Sequence, residues 1–405
     1  MEYNKKLLTK IGYPINLKTI LLTNNAWYRF YKLHNDRIRQ PIVIAVLKVL
    51  SCKNKIRGYK KYKCSNQNCN AIKIVPHTCK SKLCSSCGKK ATAIWIAKQN
   101  NILPNTQWQH ITFTMPSELW DLFWLNRELQ NKIAKLAADC ILTIAAKFDV
   151  VPAIFTAIHT FGRDLKRNIH IHLSTTRIGL HKNLKKIKKL FFKQHSLMKM
   201  WKHRVIKLFK THNIKLQSSL TNTFNNAYNF NDFLNSLYNK NWIVFCQKAS
   251  SNHYFNVNYL GRYIKRPPIA DSKLKHYDGK NVIFKYLDHK TNKYLESSFS
   301  VFDFIARLIQ HIPDTNFRVI RYYGILANRV RGKLLPILYR MLGQSEKGQI
   351  IFPSYASLLI SNFRHDPLKC GNCKSDMVLS CISYKNLSVF DLLKNHYFFA
   401  VKSFG

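Results

Sequence analysis

Ile169-His170-Ile171-His172-Leu173 is the stretch on which the reading of this chain turns. Apolar side chains and imidazoles alternate there with a period of two, as in a strand with one face in a core and the other free for chemistry. His170 and His172 then project side by side while Ile171 packs inward. Upstream, Ala153 to His159 forms a second apolar run, and Gly162-Arg163-Asp164-Leu165-Lys166-Arg167-Asn168 between them reads as a hairpin connection. With the turn centred between Asp164 and Leu165, His159 faces His170, and opposed residues lie on the same side of a sheet. Three imidazoles would make a facial ligand set for a divalent cation, with positions left open for substrate. A register slip of one residue would carry His159 to the other face, and two plain surface histidines are the bland alternative.

Tyr259-Leu260-Gly261-Arg262-Tyr263 follows about ninety residues later. Pro267 and Pro268 would stop a helix that begins near Val257 or Asn258, and on a helix residues four apart stack on one face. Both hydroxyls can therefore address one phosphate. A phenol is a weak nucleophile until a metal ion or nearby cations favour the phenolate, and Arg262, Lys265 and Arg266 stand beside the pair as cations and as DNA contacts. With 20 tyrosines in the chain, such a pair alone is more often packing than catalysis, so its meaning depends on the histidines.

Toward the amino terminus stand Cys52, Cys64, Cys69, His77, Cys79, Cys84 and Cys87. Zinc takes four tetrahedral thiolate or imidazole ligands, and short-spaced pairs supply them because a tight turn points two sulfurs at one ion. Cys64-x4-Cys69 and Cys84-x2-Cys87 are the best two pairs. Cys52, His77 and Cys79 could replace one of these or help hold a second ion. Such a zinc site is structural, carrying Lys53, Lys55, Arg57, Lys60, Lys61 and Lys63 toward DNA. Cys370 and Cys373 form a single pair, a weak half-site.

The chain has 405 residues, with 66 Lys and Arg against 19 Asp and Glu, a net charge of +47. That excess calls for a polyanionic partner, nucleic acid first, although an AT-rich genome can inflate the lysine count. Met1-Glu2-Tyr3-Asn4-Lys5-Lys6 lacks the features of a secretory signal, so a cytoplasmic, nucleoid-associated protein is expected. Leu136 to Ile158, the most apolar segment, is interrupted by Asp139, Lys147 and Asp149, too polar to span a bilayer. Eleven cysteines in such a chain are metal ligands rather than a disulfide framework.

Three regions differ in composition: a basic, cysteine-rich segment over 1–98, a mixed segment over 104–339 and a tail over 340–405. The mixed segment combines strand-like runs, such as His110 to Met115, with helical patterns such as Leu122 to Phe148, and reads as an α+β domain. Leu184, Ile187 and Phe191, separated by Lys182, Lys185, Lys186, Lys188 and Lys189, have helical spacing and predict a basic amphipathic helix. Val282 to Tyr286 and a Tyr- and Arg-rich segment predict further strands and helices up to about Tyr339.

Taken together, these segments resemble the HUH endonuclease superfamily, and within it the two-tyrosine rolling-circle transposases with an N-terminal zinc-binding domain. His159-Thr160-Phe161-Gly162-Arg163-Asp164-Leu165 leading into Ile169 to Leu173 is similar to that family's metal-site hairpin, and Tyr259 to Tyr263 to its nucleophile segment. Arg321-Tyr322-Tyr323-Gly324-Ile325-Leu326-Ala327-Asn328-Arg329 resembles a further family stretch, so the likeness spans roughly residues 50 to 335. It implies a central antiparallel sheet with flanking helices and a small zinc-binding domain before it. It also implies cleavage and rejoining of single-stranded DNA at element ends, with Tyr259 and Tyr263 forming 5′-phosphotyrosine links and His170 and His172 holding Mg²⁺ or Mn²⁺. His159 as third ligand comes from the register, and the four-residue loop between Cys64 and Cys69 departs from the shorter spacing common in the family. A replication initiator or relaxase shares this chemistry, and a non-catalytic zinc-dependent DNA-binding protein is the alternative of another class. A carboxylate-based transposase is disfavoured, because no acidic grouping recommends it.

Overall fold

The computed structural model describes residues 15–216, 227–264, 266–288, 291–345 and 366–384, with isolated positions between 354 and 360; at 227–228 and 262–264 only the backbone is described. The amino-terminal part opens with three helices, α1 (Leu17–Leu22), α2 (Ala26–His34) and α3 (Gln40–Leu50). The side chain of Asn16 caps α1 by accepting from Thr19 N–H at 3.0 Å. A hairpin of β1 (Gly58–Cys64) and β2 (Ile72–Pro76) leads to the long α4 (Ser85–Ile102).

The middle of the chain holds β3 (Trp108–Phe113), α5 (Trp120–Leu125), α6 (Gln130–Ala146), β4 (Val150–Phe161), β5 (Arg167–His181), β6 (Ile187–Lys189), α7 (Gln194–Lys210), α8 (Ala227–Ser236), β7 (Val244–Cys246) and α9 (Tyr254–Ile264). The helical pattern expected from Leu122 to Phe148 is two helices, because Asn126 breaks it. Its fully buried amide donates to Leu122 O and Lys215 O and accepts from Lys215 N–H, bonds that hold its backbone out of helical geometry. The basic helix expected around Leu184 to Phe191 is absent. Leu190 and Phe192 are buried and Phe191 between them is exposed, a period of two, and Ile187–Lys189 pairs with the far end of β5 as a strand.

Next come β8 (Leu274–Tyr277), β9 (Asn281–Leu287), β10 (Tyr294–Ser300), α10 (Val301–Ile309), β11 (Ile320–Gly324) and α11 (Asn328–Met341), and finally β12 (Met377–Tyr384). Gly324 ends β11 at φ +58°, where an added Cβ would lie 2.0 Å from Pro152 O, so no other residue fits that turn.

The central antiparallel sheet has the order β11-β4-β5-β3-β7, with β6 paired to β5. Strand alternation divides its faces. Ile111, Phe113, Ile154, Ile158, Ile169, Ile171 and Leu173 point into a core shared with α5, α6 and α7. Trp108, Ala153, Phe155 and Ala157 face a second core with Trp95 of α4, Val257 and Leu260 of α9 and Leu335 and Leu338 of α11. The third core joins α1, α2 and α3 to β8, β9 and α10, and includes Leu165 at the tip of the β4–β5 hairpin. Packing thus crosses the compositional boundaries of the chain. Its first and last described strands also meet, in a sheet of order β12-β1-β2. Among the described residues no helix is long and apolar enough to cross a membrane.

Candidate metal and nucleophile site

The β4–β5 register pairs His159 with His170, Ile158 with Ile171 and Ala157 with His172. The turn closes through Gly162 N–H to Lys166 O and Leu165 N–H to Gly162 O, with Leu165 at φ 62°. All three histidines therefore lie on the α9 side of the sheet, and their candidate ligand atoms fall within 4.8 Å of one another. The ring of His172 is 4.3 Å from that of His159 and 4.9 Å from that of His170, centroid to centroid. Burial holds His159 and His172 well below the usual imidazole range, with the neighbouring imidazoles adding to the effect. Both are neutral at neutral pH, the state a metal ligand requires.

Orientation comes from partners behind the rings. His170 Nδ1–H donates to Asn168 O at 2.9 Å, which leaves Nε2 for an ion. His172 Nδ1 meets His110 Nε2 at 3.0 Å, and His110 Nδ1 lies 3.4 Å from Ser174 Oγ. The consistent arrangement passes donors outward: His172 Nδ1–H to His110, and His110 Nδ1–H to Ser174. Burial pushes His110 down to about 4, so it stays neutral and can accept. His110 was missed as a site residue; it sits on β3, where Thr112, not His110, pairs with His172 and the sequence offers no spacing motif.

The tyrosine helix starts earlier than expected, at Tyr254, where Asn252 Oδ1 accepts from Tyr254 N–H at 3.0 Å. The ring of Tyr259 lies 5.3 Å from His110 and 6.0 Å from His172, both edge-on. Tyr263 follows one turn later on the same helix backbone; its side chain and that of Arg262 lie outside the described ones, as does Lys265. Arg266 is half-buried just past the helix end. Gly261 is what allows this helix to lie so close: a Cβ there would fall 2.8 Å from Ile96 Cγ1 of α4, and Gly261 O accepts from Thr92 Oγ1 at 3.0 Å.

The same α4 carries a cysteine cluster at its start. Cys52, Cys79, Cys84 and Cys87 bring their sulfurs within 4.8 Å of one another. Individual separations are 3.8 Å for Cys52–Cys87, 3.6 Å for Cys79–Cys87 and 3.7 Å for Cys52–Cys84. Tetrahedral zinc with bonds of about 2.3 Å sets its sulfurs about 3.8 Å apart, whereas a disulfide needs about 2.05 Å. The donor set fits zinc. Thiol hydrogen bonds, that of Cys79 first, pull Cys52 down to about 7, and Lys18 Nζ donates to Cys52 O at 3.2 Å beside the cluster.

The structure regroups the expected zinc ligands. Cys64 and Cys69 do not join Cys84 and Cys87; they stand with Cys370 and Cys373 in a separate group. Cys52 and Cys79 take their place. His77 joins neither group, because its Nε2 bonds Ser383 O at 3.0 Å and its ring stacks on Tyr384. Sequence spacing misgrouped these residues because the partners of Cys64 and Cys69 lie some three hundred residues away.

Two family models match the chain: one described as a putative transposase over residues 153–333, and one described as a transposase zinc-binding domain over residues 22–115. The transposase for insertion sequence element IS801 of Pseudomonas savastanoi pv. phaseolicola is 36% identical over 369 residues, covering 90% of this chain and 89% of that protein. The chain belongs to the insertion-sequence transposases. A putative transposase, y4qJ, of Sinorhizobium fredii (strain NBRC 101917 / NGR234) is 26% identical over 68% of this transposase and 73% of its own length. No solved structure matches the present chain. The histidines and Tyr259 fall inside the first matched segment, and the Cys52 cluster and His110 inside the second. Cys370 and Cys373 fall outside both.

Proposed function

We propose that this transposase cleaves and rejoins single-stranded DNA at the ends of its element, in rolling-circle transposition, through 5′-phosphotyrosine links to Tyr259 and Tyr263. The observation that carries the reading is the Tyr259 ring packed against His110 and His172, at the edge of three clustered histidines. His159, His170 and His172 would hold Mg²⁺ or Mn²⁺. Bound there, such an ion supplies charge neutralisation at the scissile phosphate. His159 and His172, held neutral by burial, would leave the charge of such a cation undiminished.

The remaining chemistry belongs to the protein. The Tyr259 phenol oxygen forms a bond to phosphorus, its proton passes to solvent, and the bond from phosphorus to the 3′ oxygen breaks. That oxygen leaves as a 3′-hydroxyl after gaining a proton. The phosphodiester energy is kept in the tyrosine ester, so rejoining needs neither water nor a nucleotide. Tyr263, one turn away, can take a second strand end while Tyr259 remains loaded, which suits transfer of one strand. Arg262, Lys265 and Arg266 would meet the phosphates. The Cys52, Cys79, Cys84 and Cys87 cluster would hold a structural Zn²⁺, and the protein would work on DNA in the bacterial cytoplasm.

The test is incubation of the full chain with single-stranded oligonucleotides covering the element ends and Mg²⁺ or Mn²⁺, followed by denaturing electrophoresis. A denaturant-resistant adduct is expected. The doubly substituted Tyr259→Phe, Tyr263→Phe protein should lose it while keeping affinity for the oligonucleotide. An adduct that persists in that variant defeats the assignment, and binding with no cleavage in the unsubstituted protein reduces it to a DNA-binding protein.

A further inference from the structure

We infer that a second zinc ion, held by Cys64, Cys69, Cys370 and Cys373, clamps the carboxyl-terminal strand onto the amino-terminal hairpin. The four sulfurs lie within 4.8 Å of one another, with Cys64 and Cys373 3.4 Å apart and Cys69 and Cys370 3.8 Å apart. The second separation matches tetrahedral thiolates around zinc at about 3.8 Å, the first is somewhat shorter, and both exceed a disulfide bond of about 2.05 Å. Each pair sits on its own tight turn. Cys69 N–H donates to Asn66 O and Cys64 N–H to Ala71 O, both at 3.0 Å; Cys370 N–H donates to Ser375 O at 2.8 Å and Lys374 N–H to Cys370 O at 3.2 Å. Two turns facing each other, each offering two sulfurs, form a closed site with no position left for substrate, as structural zinc requires.

The surrounding sheet shows why a cross-link is needed. β12 pairs with β1 from Cys64 opposite Met377 to Gly58 opposite Tyr384. Burial does little to hold it there: Val378, Leu379, Ile382 and Tyr384 are 56%, 44%, 43% and 74% exposed, and Met377 is the one buried apolar side chain of the strand. Strand hydrogen bonds, Ser65 N–H to Asp376 O, Lys73 Nζ to Pro367 O and His77 Nε2–H to Ser383 O supply the polar contacts. Closing a loop of about three hundred residues on a sheet with so little core is entropically unfavourable, and four metal–sulfur bonds at its edge offset that. Two of the four ligands lie outside both family matches, and the two pairs stand some three hundred residues apart in the chain, so the ion acts as a fastener rather than as part of a local finger.

The experiment needs no DNA and stands apart from the cleavage assay. Zinc is counted in the purified full chain as equivalents released by a thiol-titrating organomercurial, which leaves any histidine-bound ion out of the count. Two equivalents are expected, falling to one in Cys370→Ser, Cys373→Ser and to one in Cys79→Ser, Cys84→Ser. One equivalent in the unsubstituted chain, or two in the Cys370→Ser, Cys373→Ser variant, overturns the proposal. Should the variants not fold, cobalt exchange into the unsubstituted protein decides it. Sulfur-to-cobalt charge-transfer absorption should grow to two equivalents per chain, and saturation at one would refute the second site.

Discussion

His110 stands behind His172 in the candidate site, and that makes it informative. Its Nε2, 3.0 Å from His172 Nδ1, fixes which nitrogen of His172 would be left for the proposed metal. His110→Ala should leave oligonucleotide affinity intact and weaken activation by Mn²⁺ by about 10- to 100-fold, the usual cost of losing such a partner; a Mn²⁺ titration of cleavage reads it, and an unchanged midpoint would count against the role. Tyr259→Phe alone should abolish the adduct formed on the first strand while retaining binding, read on a denaturing gel. His311 offers a residue-scale pH prediction. It is buried, its Nε2–H donates to Leu165 O at 3.0 Å, and burial lowers it to about 4. Its folded value lies below the unfolded value of about 6.5, so protonation favours unfolding. The stability it permits is complete above about pH 6.5 and is lost as pH falls toward 4, by roughly 3 kcal/mol at most. Melting temperature should drop across that window, and His311→Gln should make the drop shallower.

At the scale of elements, α4 couples the parts of the site. Cys84 and Cys87 sit at its start, and Thr92, Trp95 and Ile96 further along support Gly261 of the tyrosine helix. Gly261→Val would place new methyl groups against Ile96 and displace α9 from α4. Overpacking of this kind costs about 1–3 kcal/mol, and adduct formation should fall further than melting temperature does, because Tyr259 moves with the helix. Much of this element scale was legible in the sequence. Alternation in Ile169 to Leu173 and the composition of the turn were enough to place His159 opposite His170, because period and turn centre together define a register. The region from Leu184 to Phe191 was illegible for the opposite reason: lysines at most polar positions let three apolar residues fit a helical spacing, while burial of Leu190 and Phe192 in the sheet's core selects a strand. The cysteine partition and the place of His110 depended on contacts between distant segments, which local spacing does not encode.

For the whole molecule, +47 on 405 residues predicts that phosphate neutralisation dominates DNA affinity. Binding to a single-stranded oligonucleotide should weaken by at least about 100-fold between roughly 50 and 200 mM salt, with a linear log–log dependence measurable by fluorescence anisotropy. A flat dependence would mean that the basic surface is not the binding face. Lys60, Lys61 and Lys63 lie on β1, the strand held between β2 and β12. During synthesis on the ribosome, β1 and β2 are made before the central sheet, and their third strand, β12, only after it. A nascent chain released too soon would carry the histidines and tyrosines but an unfinished lysine-bearing hairpin. Late arrival of that strand makes translation through Met377–Tyr384 a condition for completing the lysine-bearing sheet.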